Sequence, residues 1–284
     1  MLGIIYALLP AIAWGSLVLV SVKLGGNSYS QTLGISIGAF IFSVFIFIFK
    51  TPDITPFIFL IGFISGFLWA VGQLNQLASV EYVGVSKAVP ISTGMQLVAT
   101  SAFGVLVFNE WNTKAAIILG IISLALIIAG VLLISSGQKE EDEKGGELKR
   151  GMVTLLISTA GFAGYVVIIR WFNIGGWEAV LPQSVGMASG ALLMSFKHRP
   201  FTKFAVRNIL TGLMWAAGNL GLLLAIPLIG VAVSFSMSQM GIIISTLGGI
   251  FLLGEKKTKK QLVFVIIGSL LIIAGGVVLG VTKK

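Results

Sequence analysis

Apolar residues along this chain come in runs of ~20, the length a helix needs to cross about 30 Å of hydrocarbon. Ten such runs stand out, at residues 2–22, 32–49, 57–79, 87–108, 114–136, 151–171, 179–196, 205–226, 231–253 and 261–281. None shows the period-two alternation of a half-buried strand, so the pattern predicts an all-helical chain. Asp, Glu, Lys, Arg and Gly-Asn turns punctuate the runs, as at Gly25-Gly26-Asn27. The charge-free stretch from 208 to 254 is too long for one span, and Pro227 with Gly230 supplies the turn that divides it. No basic residue precedes the first run, so despite an Ala11-Ile12-Ala13 sequence it is expected to be a retained span rather than a cleaved leader.

The runs fall into two editions of one unit. Gly66, Trp69, Ala70, Gly72 and Leu74 match Gly212, Trp215, Ala216, Gly218 and Leu220 at one constant offset, and Gly84-Val85 matches Gly230-Val231. After a single-residue deletion, Gly104, Glu110 and Thr113 match Gly249, Glu255 and Thr258, and the sequence LIIAG ending at Gly130 returns ending at Gly275. Repetition at this scale decides architecture before any local pattern does. Residues 1–136 and 151–284 are therefore expected to be five-helix repeats joined by a solvated linker, 137–150 (GQKEEDEKGGELKR), which carries half of the acidic residues. Five crossings per repeat make the second copy inverted, giving ten transmembrane helices with a substrate site near the midplane between the halves.

Composition confirms the environment. With 56% hydrophobic and 10% charged residues in 284, the chain is far from a soluble domain, whose charged fraction is about 25%. The net charge of +9 would suggest nucleic acid in a soluble protein, but here the bases sit in short segments between apolar runs, where they orient the chain in a bilayer. Lys50, Lys114, Arg170, Lys283 and Lys284 fall on the side of the termini; all other Lys and Arg fall on the side of the linker, most densely at 197–207 and 256–260. The positive-inside rule then places the linker in the cytoplasm and both termini outside. With no Cys and a single His, His198, in a charged loop, no cofactor, metal site or hydrolytic machinery is expected, and the chain is not expected to be an enzyme.

Polar side chains inside the runs carry the candidate chemistry. Trp69, Gln73 and Gln76 share one face of the third run, with Asn75 beside them, and the matching positions in the eighth are Trp215, Asn219 and Leu222. Primary amides in hydrocarbon cost several kcal/mol unless bonded, so these faces point into the protein. In the fourth run Thr93, Gln96 and Thr100 follow Pro90; in the ninth, Ser234, Ser238, Gly241 and Ser245 lie on one face and Gln239 with Thr246 on another. Together with Trp14, the residues Trp69, Gln73, Gln76, Thr93, Gln96, Trp215, Asn219, Ser238 and Gln239 form an expected substrate site. Indole rings would cover the C–H faces of a pyranose, and amides would bond its hydroxyls. The competing role for each amide is fastening one helix to another. Gly34-x-x-x-Gly38 and Gly186-x-x-x-Gly190 are helix-contact surfaces, and Gln31 and Gln183 precede them at matching positions.

The stretches WGS (14–16), GVSKAVPISTGMQLV (84–98), NEW (109–111), QSVGM (183–187), GNL (218–220), SFSMSQ (234–239) and STLGGIFLLGEKK (245–257) resemble the bacterial glucose/ribose uptake porters of the drug/metabolite transporter superfamily. The resemblance covers both halves and implies a ten-helix inner-membrane sugar importer of the proton-linked kind. It also implies a monosaccharide and protons as partners, with no nucleic acid. Many ten-helix members of that superfamily are described with cytoplasmic termini, opposite to the charge bias here. Outside the linker the acidic residues are Asp53, Glu81, Glu110, Glu178 and Glu255, each at an expected helix end. The alternative is an exporter or exchanger of another small metabolite or drug in the same superfamily; the lack of a mid-span carboxylate speaks against its cationic-drug form, in which cation and proton compete for a buried acid. It leaves Glu110 or Glu81 as the groups proton coupling would have to use.

Overall fold

The computed structural model describes residues 1–83, 85–136, 145–252 and 258–281, and every regular element among them is a helix. Gly84, Glu255, residues 137–144 and the terminal lysines lie outside the described residues, as do the side chains of Glu81, Pro90 and Thr246. In chain order the helices are α1 (Leu2–Leu24), α2 (Ser28–Lys50), α3 (Pro56–Val83), α4 (Val85–Ala102), α5 (Lys114–Ser136), α6 (Gly145–Trp171) and α7 (Gly176–Ser195). They are followed by α8 (Lys203–Arg207), α9 (Ile209–Ile229), α10 (Val231–Ser238), α11 (Gly241–Leu252) and α12 (Lys259–Val281). A π-helical turn, Phe103–Val107, extends α4.

Among the described residues eight helices are long and apolar enough to cross a membrane, and two shorter apolar stretches, Ile91–Val107 and Val231–Ser245, accompany them. Lipid offers no hydrogen bonds, so a spanning backbone must satisfy itself as helix or closed barrel. The protein is thus a multi-pass helical membrane protein. Its helices are not equivalent. Ile209–Ile229 buries 67% of its apolar window inside the protein and Lys259–Val278 only 28%, so α9 is central and α12 peripheral, where it pairs with α5. Leu106, Leu193 and Phe251, each more than 70% exposed, belong to the lipid-facing surface.

Local chemistry sets the helix ends. The Asn27 side chain caps α2 by accepting the Ser30 N–H at 2.9 Å, Thr202 caps α8 through the Ala205 N–H, and Gly230, at φ 82°, makes the turn between α9 and α10. That backbone conformation is open to glycine without strain. Small residues set the packing. Both glycine pairs singled out above are contact surfaces: α2 lays Gly34 and Gly38 on Ala205, Asn208, Ile209 and Gly212, and α7 lays Gly186 and Gly190 on Phe63, Phe67 and Ala70 of α3. A Cβ on Gly38 would overlap the backbone of Ile209 and Gly212, so α2 and α9 approach as only unbranched backbones can. Helix α3 packs on α6 and α7, and α9 on α1 and α2. Between them Ser43 of α2 and Ser184 of α7 share a hydrogen bond of 2.5 Å.

Three boundaries depart from expectation. The linker assigned to 137–150 is helical from Gly145 onward, because GELKR is rich in helix formers and continues into the apolar run without a cap or breaker. The eighth span is entered through the separate turn α8, with Asn208 between it and α9. The ninth span, expected as one helix, breaks at Gln239–Met240 between α10 and α11. There the backbone tightens: Gln239, Met240, Ile242 and Ile243 N–H groups donate three residues back. No proline causes this; the Ser238 hydroxyl donates to the Phe235 carbonyl at 2.6 Å, a back-bond that bends helices, and Gly241 follows.

Candidate functional site

A cavity of about 440 Å³, within the ~300–1,000 Å³ of small-molecule sites, lies between α1, α2, α3, α4, α6, α9, α10 and α11. Three tryptophans from three helices line it. Trp14 stacks on Trp215 with ring centroids 6.4 Å apart and planes 12° from parallel, and its Nε1–H donates to the Trp215 carbonyl at 3.2 Å. Trp69 sits 4.6 Å from Trp215, and Phe162 and Tyr165 of α6 pack against the pair. What lets α1 in so closely is glycine. Gly218 on α9 faces the Trp14 indole, and Gly15 faces the backbone of Gly241, where a Cβ on either would collide.

The polar wall comes mainly from α3 and α4. Gln73, Gln76, Thr93 and Gln96 line the cavity, and α10 and α11 with the break between them add Ser238, Gln239 and Ser245. Gln76 and Gln96 each donate from Nε2 to the Ser92 hydroxyl at 2.8 Å. Gln239, at the break between α10 and α11, donates from Nε2 to Ser238 Oγ at 3.2 Å. Irregular backbone at membrane depth is tolerated where it borders such a cavity. Gln31, Asn27 and Gly26 also line it, and Gln31 Nε2 donates to the carbonyls of Gly25 and Gly26, which holds the α1–α2 turn beside the cavity. Gly26 and Asn27 are exposed, so the cavity reaches the surface there.

The structure brings Trp14, Trp69, Gln73, Gln76, Thr93, Gln96, Trp215, Ser238 and Gln239 to one space, and it leaves Asn219 out. Asn219 is buried, its Nδ2 donating to Gln183 Oε1 at 2.5 Å; Gln183 Nε2 donates to Ser65 at 2.7 Å, and Ser65 donates to the Tyr165 carbonyl. That chain of bonds fastens α9, α7, α3 and α6. Glu110 is also elsewhere: its two carboxylate oxygens accept the backbone N–H groups of Val231 and Ala232 at 2.6 and 2.9 Å, capping the start of α10, where a negative charge meets the positive end of the helix dipole. Among the described residues no cluster of His, Asp or Glu could hold a metal ion.

Sequence patterning missed Phe162, Tyr165, Phe235 and Ser92. The aromatics sit in runs where lipid-facing and cavity-facing rings look alike, although the Tyr165 hydroxyl in mid-span was a usable signal. Ser92 touches the cavity only through its two glutamines.

The chain matches the family described as Sugar transport protein over residues 5–282. It is 59% identical to the probable glucose uptake protein GlcU of Priestia megaterium, with all of both chains aligned, and 57% identical to a putative sugar uptake protein of Bacillus anthracis, covering 99% of this chain and 100% of that one. It is 54% identical to the glucose uptake protein GlcU of Bacillus subtilis (strain 168), covering 99% of each. A solved crystal structure resembles it with a TM-score of 0.74 over 97% of this chain and 95% of the other, at 15% identity, a likeness of fold alone. With a match across nearly the whole chain, and a cavity enclosed by a bundle of helices long enough to span a membrane, this protein belongs to the Sugar transport protein family, a family of transporters and not of enzymes.

Proposed function

We propose that the cavity is the substrate site of an importer that carries a neutral monosaccharide, glucose above all, across the cytoplasmic membrane by alternating access. The observation that carries this reading is the convergence, on one cavity, of three indoles with amide and hydroxyl side chains and no charged side chain among the lining residues. A pyranose presents apolar C–H faces and a rim of hydroxyls, and it needs both kinds of wall. The relatives named for glucose uptake support the choice of sugar.

The chain forms ten spans in two inverted five-helix repeats, 1–136 and 151–284. The two shorter apolar stretches, Ile91–Val107 and Val231–Ser245, are the fourth and ninth. Pairwise packing supports the inversion: the third span rests on the sixth and seventh as the eighth rests on the first and second, while the fifth pairs with the tenth. Charge bias puts the linker in the cytoplasm and the termini outside. On that orientation the mouth at Gly26 and Asn27 opens to the cytoplasm, and the Glu110 clamp on α10 belongs to the closed outer side. The structure is then the inward-facing half of the cycle.

Uptake of labelled glucose into proteoliposomes, with unlabelled neutral sugars, sugar phosphates and quaternary cations as competitors, tests the reading. Inhibition by neutral sugars alone is expected, and strong inhibition by a cation would overturn it. The same vesicles with and without a pH gradient test the proton linkage that the family resemblance implies.

A further inference from the structure

Two of the cavity's amides are tied to one atom. Gln76 on α3 and Gln96 on α4 both donate from Nε2 to Ser92 Oγ, each at 2.8 Å. Ser92 is fully buried and is not part of the cavity lining, whereas both glutamines are. A serine hydroxyl has two lone pairs and one O–H, so two donated N–H bonds fill its capacity to accept. A glutamine whose NH₂ end is held this way keeps its carbonyl oxygen for whatever occupies the cavity. Neither Gln76 Oε1 nor Gln96 Oε1 is among the buried atoms left without a partner. With the amides oriented in common, the wall shared by α3 and α4 offers acceptors. Gln73 on the same face of α3 has no such anchor and remains free to donate or accept.

We propose that Ser92 is a positioning residue that sets the hydrogen-bond polarity of the site, holding Gln76 and Gln96 as a pair of acceptors for two hydroxyl groups of one sugar. The inference rests on the cavity being the sugar site. Its consequence is a specificity rule: at two positions of the ligand the group must donate a hydrogen bond, and a group of similar size that cannot donate is rejected. A serine therefore discriminates between ligands it never touches. Removing its hydroxyl frees both amides to rotate, and each can then turn NH₂ or C=O toward the ligand as the ligand requires.

The test is binding of glucose and of its 2-, 3-, 4- and 6-deoxyfluoro analogues to the purified full-length protein in detergent, since a C–F group replaces O–H in size but does not donate. Wild-type protein should show weakening of about 10-fold at two of these positions, the loss of one neutral hydrogen bond each. In Ser92→Ala and in Ser92→Cys, whose thiol is a poor acceptor, those two penalties should fall to within about 2-fold of glucose. Ser92→Thr, which keeps the hydroxyl, should retain them. Two cysteine-or-alanine variants guard against a single misfolded protein. Gln73→Ala, measured alongside, should weaken glucose and all analogues together. If Gln73→Ala changes nothing, the cavity is not the sugar site and the proposal falls with it. If Gln73→Ala weakens binding but Ser92→Ala and Ser92→Cys keep the wild-type pattern of penalties, the assignment of Ser92 alone is overturned.

Discussion

Asn219 of α9 gives its amide N–H to Gln183 of α7 and not to the cavity. Gln73, the position that matches it when the sequence is laid on itself, lines the cavity, so two matched amides have different surroundings. Losing Asn219 strands Gln183 Oε1 in a dry interface, where an orphaned polar group costs ~1 to 3 kcal/mol. Asn219→Ala should lower the melting temperature in detergent while the surviving protein binds glucose with near-normal affinity. Gln73→Ala should do the reverse, weakening binding roughly 5- to 100-fold at little cost in stability. Thermal melting and sugar titration on the same preparations separate the two roles.

Glu110 is bonded as a helix cap, both oxygens on backbone N–H groups. Glu110→Gln keeps an acceptor for one of them and loses the charge at the start of α10, a loss of ~0.5 to 2 kcal/mol. A modest fall in melting temperature is expected, with the pH dependence of glucose uptake unchanged. A variant that still transports but no longer responds to a pH gradient would instead make this carboxylate the coupling group.

Orientation can be read by chemistry, since the chain has no cysteine of its own. Lys149 is exposed on the first turns of α6. Lys149→Cys should resist an impermeant thiol reagent in intact cells and react after lysis; labelling of intact cells would reverse the topology and agree with superfamily members whose termini are cytoplasmic.

Trp215 touches Trp14, Trp69 and Tyr165 at once. Trp215→Phe retains an aromatic face but shortens it. Sugar affinity should fall roughly 2- to 10-fold, on the ~0.5 to 1.5 kcal/mol of a lost aromatic contact. Quenching of the remaining tryptophans by glucose should persist.

Much of this site was legible in the sequence because its residues break a rule. An amide or a paired indole in a 20-residue apolar run needs a reason, and spacing alone puts Trp69, Gln73 and Gln76 on one face. Asn219 obeys the same rule, but the structure gives its amide to Gln183, and matching positions along the sequence says nothing of a glutamine arriving from another helix. The interruption at Gln239–Met240 was hidden for a related reason. It has no proline, and a serine bonding back to its own helix is written in the same letters as a serine facing a ligand. Ser92 was invisible because its work is done through other side chains.

The interruption has an electrostatic consequence. One continuous helix would carry its dipole past the cavity with both ends remote from the ligand. Cut between Ser238 and Gly241, it becomes two, and the carbonyl end of α10 meets the amide end of α11 beside Gln239 on the cavity wall. Their partial charges, of opposite sign, are largely spent on each other through the bonds that the Gln239, Met240, Ile242 and Ile243 N–H groups make three residues back, so what the break presents to the cavity is the neutral Gln239 amide rather than a fixed charge. A wall of that kind asks for no buried ion, and among the described residues Asp53, Glu110 and Glu178 lie between helices or in a first turn.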